Sequence, residues 1–138
     1  MKMKLSEILE HYKSMTNSGI LDQTLPDKLS YAISRNVKKL EDEVKVYEDE
    51  RKKLCERLAE KDDKGAAKMI EKSGSMIYDL TDEAAKTLSE ELDDLTASEI
   101  EIDIHTVGES VIEQCDQDRY HIPTARELAV LDFMIVGK

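Results

Sequence analysis

Between Asp27 and Asp63 the chain contains neither glycine nor proline, and over that stretch its apolar residues keep a near-heptad beat. Ile33, Val37, Leu40, Val44, Tyr47, Leu54 and Leu58 follow one another in steps of four and three, with Arg51 in the place between Tyr47 and Leu54. Such spacing lays one continuous stripe along a helix. A helix of roughly 35 residues is ~50 Å long, longer than a compact domain of this size is wide. The stripe must therefore be covered lengthwise, by another helix of the chain or by a second copy. The stripe is expected to serve as an oligomer seam, because the other helices are too short to cover all of it.

The start of this helix is marked by Thr24-Leu25-Pro26-Asp27, with a capping residue, a proline in the first turn and an acid three residues after the cap. Ahead of it, Leu5, Ile8, Leu9, Tyr12 and Met15 predict a short amphipathic helix, with Ser6 as its cap and Asn17-Ser18-Gly19 as its stop. Lys61-Asp62-Asp63-Lys64-Gly65 reads as the turn that ends the long helix. Met69-Ile70 and Met76-Ile77-Tyr78 flank Lys72-Ser73-Gly74-Ser75 in a pattern that suits a small hairpin, with a loop as the alternative. A clearer helix runs over 82–96, capped by Thr81 and striped by Ala85, Leu88, Leu92 and Leu95. It is expected to lie antiparallel on the long helix.

Glu99-Ile100-Glu101-Ile102-Asp103-Ile104-His105 alternates residue by residue, the period of a strand with one buried face. The strand is expected over 99–106. A short helix over 110–115, a turn at 116–118 and a partner strand at Tyr120-His121-Ile122 follow. Pro123 and the capping box Thr124 to Glu127 open a last helix, 124–136, whose Leu128, Leu131, Phe133, Met134 and Ile135, with Val130, make it apolar around most of its girth. It is either well buried or a contact site. The fold class expected is α+β, helix-dominated: a long coiled-coil-like helix, an antiparallel helix and a small antiparallel sheet, all in one domain over 1–138.

Charge is unevenly spread. The chain has 20 basic and 31 acidic residues for a net charge of -11, yet the first sixty positions are neutral. Residues 61–138 carry 8 basic and 19 acidic side chains, and Asp79 to Asp118 holds fourteen acids against Lys86 alone. A neutral helical half, 1–65, is thus joined to an acidic half, 66–138. Such a balance argues against direct nucleic-acid or anionic-membrane binding. Two cysteines, Cys55 and Cys115, do not make a disulfide scaffold or a close-spaced zinc motif and suit a reducing compartment. No stretch is apolar enough for a signal peptide or a membrane span, so a soluble cytoplasmic protein is expected.

Candidate chemistry is sparse. Glu99, Glu101, Asp103 and His105 share one strand face that could hold a cation or dock a basic partner, although a solvated face whose charges deter edge pairing is the simpler reading. Cys115 with His105 and His121 matches no zinc spacing, nor do the remaining His11 and Cys55 supply one. Asp62-Asp63-Lys64-Gly65 lacks the alternation of a calcium loop, and phosphate loops, nucleophile elbows and His-Glu-x-x-His are missing. The expectation is a protein that is not an enzyme and uses no metal or cofactor.

Four stretches, LPDKLSYAISRNVKKLEDEVKVYEDERKKL, EKDDKG, EIEIDIH and IPTARELAVLDFMIV, taken in this order, resemble a family of small phage and prophage proteins catalogued as a domain of unknown function. The shared pattern is a Pro-x-Lys-x-x-Tyr helix start, an Asn-x-x-Lys-x-x-Glu-x-Glu helix, a Glu-Lys-Asp turn, an acidic Ile/Val strand and a short C-terminal helix. Residues 25–65 and 81–138 carry it, with 107–120 longer than the pattern. The resemblance implies a phage accessory protein acting in the host bacterial cytoplasm or on the virion, through a protein partner of host or phage origin. Inhibition of a host defence component is the first expectation. Virion or tail assembly, and mimicry of nucleic acid by the acidic region to block a host DNA-binding protein or nuclease, are the alternatives. No catalytic residue transfers.

Overall fold

The computed structural model describes residues 1–117 and 119–137, so Asp118, the last acid of the acidic region, lies outside the described residues. The elements run β1 (Lys2–Lys4), α1 (Leu5–Asn17), α2 (Asp27–Leu58), β2 (Met69–Lys72), β3 (Ser75–Tyr78), α3 (Asp82–Thr96), β4 (Glu99–Glu101), β5 (Val107–Gly108), α4 (Ser110–Glu113), α5 (Ala125–Leu131) and β6 (Ile135–Val136), with 3-10 turns at Ile20–Asp22, Gln114–Asp116 and Asp132–Met134. The class is α+β and helix-dominated. Two compact units are present: Met1–Val44 with the chain from Glu99 onward, and Lys45–Ser98. The unit boundary falls within α2, whereas the change in charge falls near residue 65.

In the first unit the core is built from Ile8, Met15, Ile20, Leu29, Leu40, Leu131 and Met134, each essentially without exposure. On α2 the buried face is Leu29, Ala32, Ile33, Asn36, Leu40 and Val44, and in the second unit it resumes at Cys55. Leu29 to Leu40, Ile33 to Val44 and Val44 to Cys55 are each eleven residues apart. Three turns of a straight helix take about eleven residues, whereas a heptad stripe drifts by about 20° per repeat on such a helix. Coverage therefore passes from the heptad residues to their neighbours. Ile33, Leu40 and Val44 of the expected seam lie buried in their own unit, while Val37, Tyr47, Leu54 and Leu58 are half-buried.

Helix α1 starts on Lys4 rather than Ser6: the Lys4 amide donates to Glu7 Oε1 at 3.1 Å. Its stop is as expected, with the Ser18 amide on Ser14 O at 3.0 Å and Gly19 at a φ of 80°. The expected partner strand at 120–122 does not form. Glu99–Glu101 pairs instead with Lys2–Lys4, antiparallel, in the register Lys2 opposite Glu101, Met3 opposite Ile100 and Lys4 opposite Glu99. Opposite charges face each other across this ladder and the apolar pair lies between them, the arrangement that best stabilises a short pair of strands.

The strand expected over 99–106 keeps its alternation but loses its ladder after Glu101. Ile102 and Ile104 remain buried, at 5% and 8% exposure. Their backbone neighbours are satisfied by other groups. The Ile102 amide donates to Met1 O at 2.9 Å. Lys39 Nζ donates to the Asp103 carbonyl, and the Asn36 side chain brackets His105, accepting from its amide at 2.7 Å and donating to its carbonyl at 2.8 Å. Two α2 side chains, three residues apart and hence on one face, take the place of a neighbouring strand.

The last helix is shorter than the expected 124–136. The Thr124–Glu127 capping box forms, with the Glu127 amide on Thr124 Oγ1 at 3.2 Å and the Thr124 amide on Glu127 Oε1 at 2.9 Å. After Leu131 the chain tightens into a 3-10 turn, and Ile135–Val136 pairs in parallel with Val107–Gly108. Its β-branched end residues suit a strand better than a helix end. The α5 helix packs on α1, Leu131 and Met134 are buried, and Phe133 stacks on His11 with ring centroids 4.2 Å apart. The apolar C-terminal segment is thus in good part a core element of the first unit, with Leu128, Phe133 and Ile135 half-buried.

In the second unit the hairpin forms rather than the loop, Met69 pairing with Tyr78 and Lys72 with Ser75. Ser73 and Gly74 both take positive φ, 52° and 82°, which lets a two-residue loop follow the twist of its strands. Helix α2 ends at Leu58. The turn after it is held by Asp62 Oδ1, which accepts from the Lys64 and Ala66 amides at 2.9 and 3.0 Å. Thr81 caps α3 as expected, its Oγ1 accepting from the Ala84 amide at 3.1 Å.

Candidate protein-docking groove

The second unit combines three amphipathic elements and almost no enclosed core. Over 45–98, Cys55 and Ala59 are the buried residues. No residue of α3 is buried, and its stripe residues Leu88, Leu92 and Leu95 are half-covered. A stretch of 54 residues has little volume in which to hide apolar surface. Its apolar side chains remain at the surface, and they line a groove.

The groove measures about 520 Å³. One wall is the α2 segment carrying Glu48, Arg51, Lys52 and Cys55; the other comes from Met69, Met76, Ile77 and Tyr78 of the hairpin, closed by Leu80 and by Leu88 of α3. Met69, Met76 and Ile77 are 40%, 60% and 40% exposed. Unbranched methionines repack easily around different shapes, which suits a surface that receives another chain. An open patch of this composition on a folded protein marks an interaction site more often than a catalytic one.

The groove's charge sits on its α2 wall. Lys52 lies 4.0 Å from Glu56, an ion pair at the distance limit, while Arg51 makes no ion pair among the described residues. Arg57 is held by Glu91 of α3 at 2.8 Å, and Tyr78 donates to Glu56 Oε1 at 3.4 Å. These exposed contacts fix side-chain positions and contribute little stability.

The residues singled out from the sequence are distributed differently. Glu99, Glu101 and Asp103 are exposed on the first unit, but Glu101 meets the N-terminal ammonium at 3.0 Å and Asp103 meets Lys39 at 3.3 Å. His105 lies edge-on to Tyr31, ring centroids 5.7 Å apart. Cys115 is buried, its thiol 3.8 Å from the Val111 carbonyl, and burial pushes that thiol's pKa up. His121 Nε2 lies 2.8 Å from Glu127 Oε1. Among the described residues no three His, Cys, Asp or Glu side chains are grouped to hold a metal ion. No helix among them is long and apolar enough to cross a membrane.

Sequence reasoning passed over the groove because its members come from three segments, none with a period of its own. The exposed methionines Met69 and Met76, either side of a hairpin turn, were the available signal. It also missed Asn36, which sits one position from a heptad residue and looks like any polar helix residue.

No family model matches the chain, and neither a curated protein nor a solved structure is significantly similar to it.

Proposed function

We propose that the protein acts without chemistry of its own, by binding another protein through the groove of its second unit. The observation that carries this reading is the thinly buried core of that unit, which leaves Met69, Met76 and Ile77 open beside Arg51, a cation with no ion pair among the described residues. The occupant that fits is an amphipathic segment of a partner, its apolar face on the methionines and an acidic residue against Arg51. The motif resemblance makes a host or phage protein the expected partner, and both inhibition of a host defence component and virion assembly use such contacts.

The test is capture with two baits, the wild-type chain and the double variant Met76→Ser, Ile77→Ser, followed by titration of the purified captured protein. Both substituted residues are exposed, so the variant should keep its helicity. Retention of a one-to-one partner by wild type and its loss from the variant supports the groove. Equal affinity for both baits refutes it.

A second reading is favoured by α3, where Glu83, Glu90, Asp93 and Asp94 are exposed and make no ion pair among the described residues. Such an array suits mimicry of a phosphate backbone. Binding that collapses between about 50 and 200 mM salt marks the mimic, and salt-insensitive binding marks the groove.

A further inference from the structure

The first unit carries a cationic, aromatic strip that the groove does not involve. Tyr31 on α2 is 55% exposed, unusual for a large ring in a unit with a well-filled core. Two clefts of about 380 and 400 Å³ share it. Arg35 and Lys38 line the first; Lys28, His105 and Thr106 line the second. Arg35 Nη1 donates to the Tyr31 hydroxyl at 3.0 Å, and its guanidinium stands 5.6 Å from the ring centroid. His105 meets the ring edge-on. The ring thus borders both clefts.

Charge on this strip runs against the rest of the chain. Lys38 is paired with Asp42 at 3.2 Å and Lys39 with Asp103 at 3.3 Å. Lys28 and Arg35 make no ion pair among the described residues, in a protein of net charge -11. These two cations flank one exposed aromatic ring, Arg35 within the electrostatic reach of Asp103, and Val107 and Val111, at 8% and 6% exposure, floor the cleft beside Lys28.

We infer that this strip binds a short acidic peptide segment of a partner protein, with carboxylates four residues apart and an apolar residue midway between them. The spacing follows from helix geometry. Lys28 and Arg35 are seven residues apart, about 10.5 Å along α2 at 1.5 Å per residue. Four residues of an extended peptide cover about 13 Å, within reach of the long Lys and Arg side chains, and its first, third and fifth side chains share one face. Carboxylates at the first and fifth positions meet Lys28 and Arg35, and the third side chain, on the same face, lies on Tyr31. A nucleic acid fits poorly, because its charge continues past the strip onto an acidic surface.

The experiment is an NMR titration of the full-length 15N-labelled chain with a synthetic Gly/Ser peptide carrying Glu-Gly-Leu-Gly-Glu, and separately with Lys-Gly-Leu-Gly-Lys and a single-stranded oligonucleotide. The acidic peptide is expected to shift the amides of residues 28–35 and 105–111 and to bind at about 1 mM or tighter. The double variant Lys28→Glu, Arg35→Glu should weaken binding at least tenfold. Lys28→Arg should retain it, and unchanged dispersion of the spectrum shows that each variant is folded. Shifts confined to other residues, equal binding by the lysine peptide or the oligonucleotide, or indifference to the charge reversal overturns the inference. None of these outcomes bears on the groove, which lies in the other unit.

Discussion

Replacing Asn36 by leucine isolates the contact that lets an extended segment without a ladder stay in place. The Asn36 side chain has 0% exposure and makes two hydrogen bonds to one residue, His105, at 2.7 and 2.8 Å, with Nδ2 also 3.4 Å from Met134 Sδ. Leucine keeps the branched outline, but its bulkier methyls neither donate nor accept, so the effect is the orphaned His105 amide and carbonyl with some overpacking added. Each backbone group left without a partner in a partly buried setting costs about 1–3 kcal/mol, giving about 2–6 kcal/mol for the pair. Against a total stability of about 5–15 kcal/mol that is a large fraction. Urea unfolding followed by circular dichroism reads the loss, and hydrogen exchange at the His105 amide reads its origin. Exchange there should quicken more than at core amides of α2 such as Leu40. A loss below about 1 kcal/mol with His105 still protected would refute the view that the side chain replaces a strand.

Other consequences follow from the same packing. Leu40→Asp places an unpaired charge at a fully buried site, and should unfold the first unit or lower its stability by more than about 3 kcal/mol, seen as lost helicity at 25 °C. Its harm should be independent of protein concentration if Leu40 serves its own chain, and a concentration-dependent effect would instead reveal an intersubunit role. Self-association can be measured directly by light scattering: interchain burial of the half-covered Tyr47, Leu54 and Leu58 predicts a concentration-dependent mass that Leu54→Glu abolishes. A constant monomer mass rejects it. The Thr124 amide, followed by His121, holds the Glu127 carboxyl below its ordinary pKa of 4.5. The unfolded chain therefore takes up this proton first as the pH falls. Glu127 stabilises the fold fully above about pH 4.5, and that contribution is lost as pH drops through the lower folded value. Glu127→Gln should flatten this acid limb in melting temperature against pH, and an unchanged limb would assign it to other carboxylates.

Local signals were legible in the residues where one segment decides its own structure. The 82–96 helix with its Thr81 cap, the Ser73-Gly74 hairpin turn, the Thr124–Glu127 box and the Gly19 stop all depend on neighbours a few positions away. Failures came where a distant segment intervenes. The acidic Glu99–Glu101 strand found the N-terminal Lys-Met-Lys rather than Tyr120-His121-Ile122, a pairing announced by matching period and opposite charge but separated by almost a hundred residues. The heptad reading of 33–58 assumed that a supercoil would form, whereas the buried face follows an eleven-residue spacing. Helix 124–136 was overextended because Ile135 and Val136 fit an apolar helix face and a strand equally well until β5 offers a partner. The candidate groove was least legible, since it exists only when three half-buried surfaces meet.

In the function proposed above, the second unit presents its apolar groove to another polypeptide. Its most direct test is site-specific photo-crosslinking in the expressing cell, with a benzophenone side chain at Met76 and, as a control, at exposed Asp132 of the first unit. A discrete covalent adduct from position 76, stronger than any from position 132, is the expected result, and its mass distinguishes a partner protein from a second copy. Equal or absent adducts at both positions would contradict the assignment of the groove as a docking site.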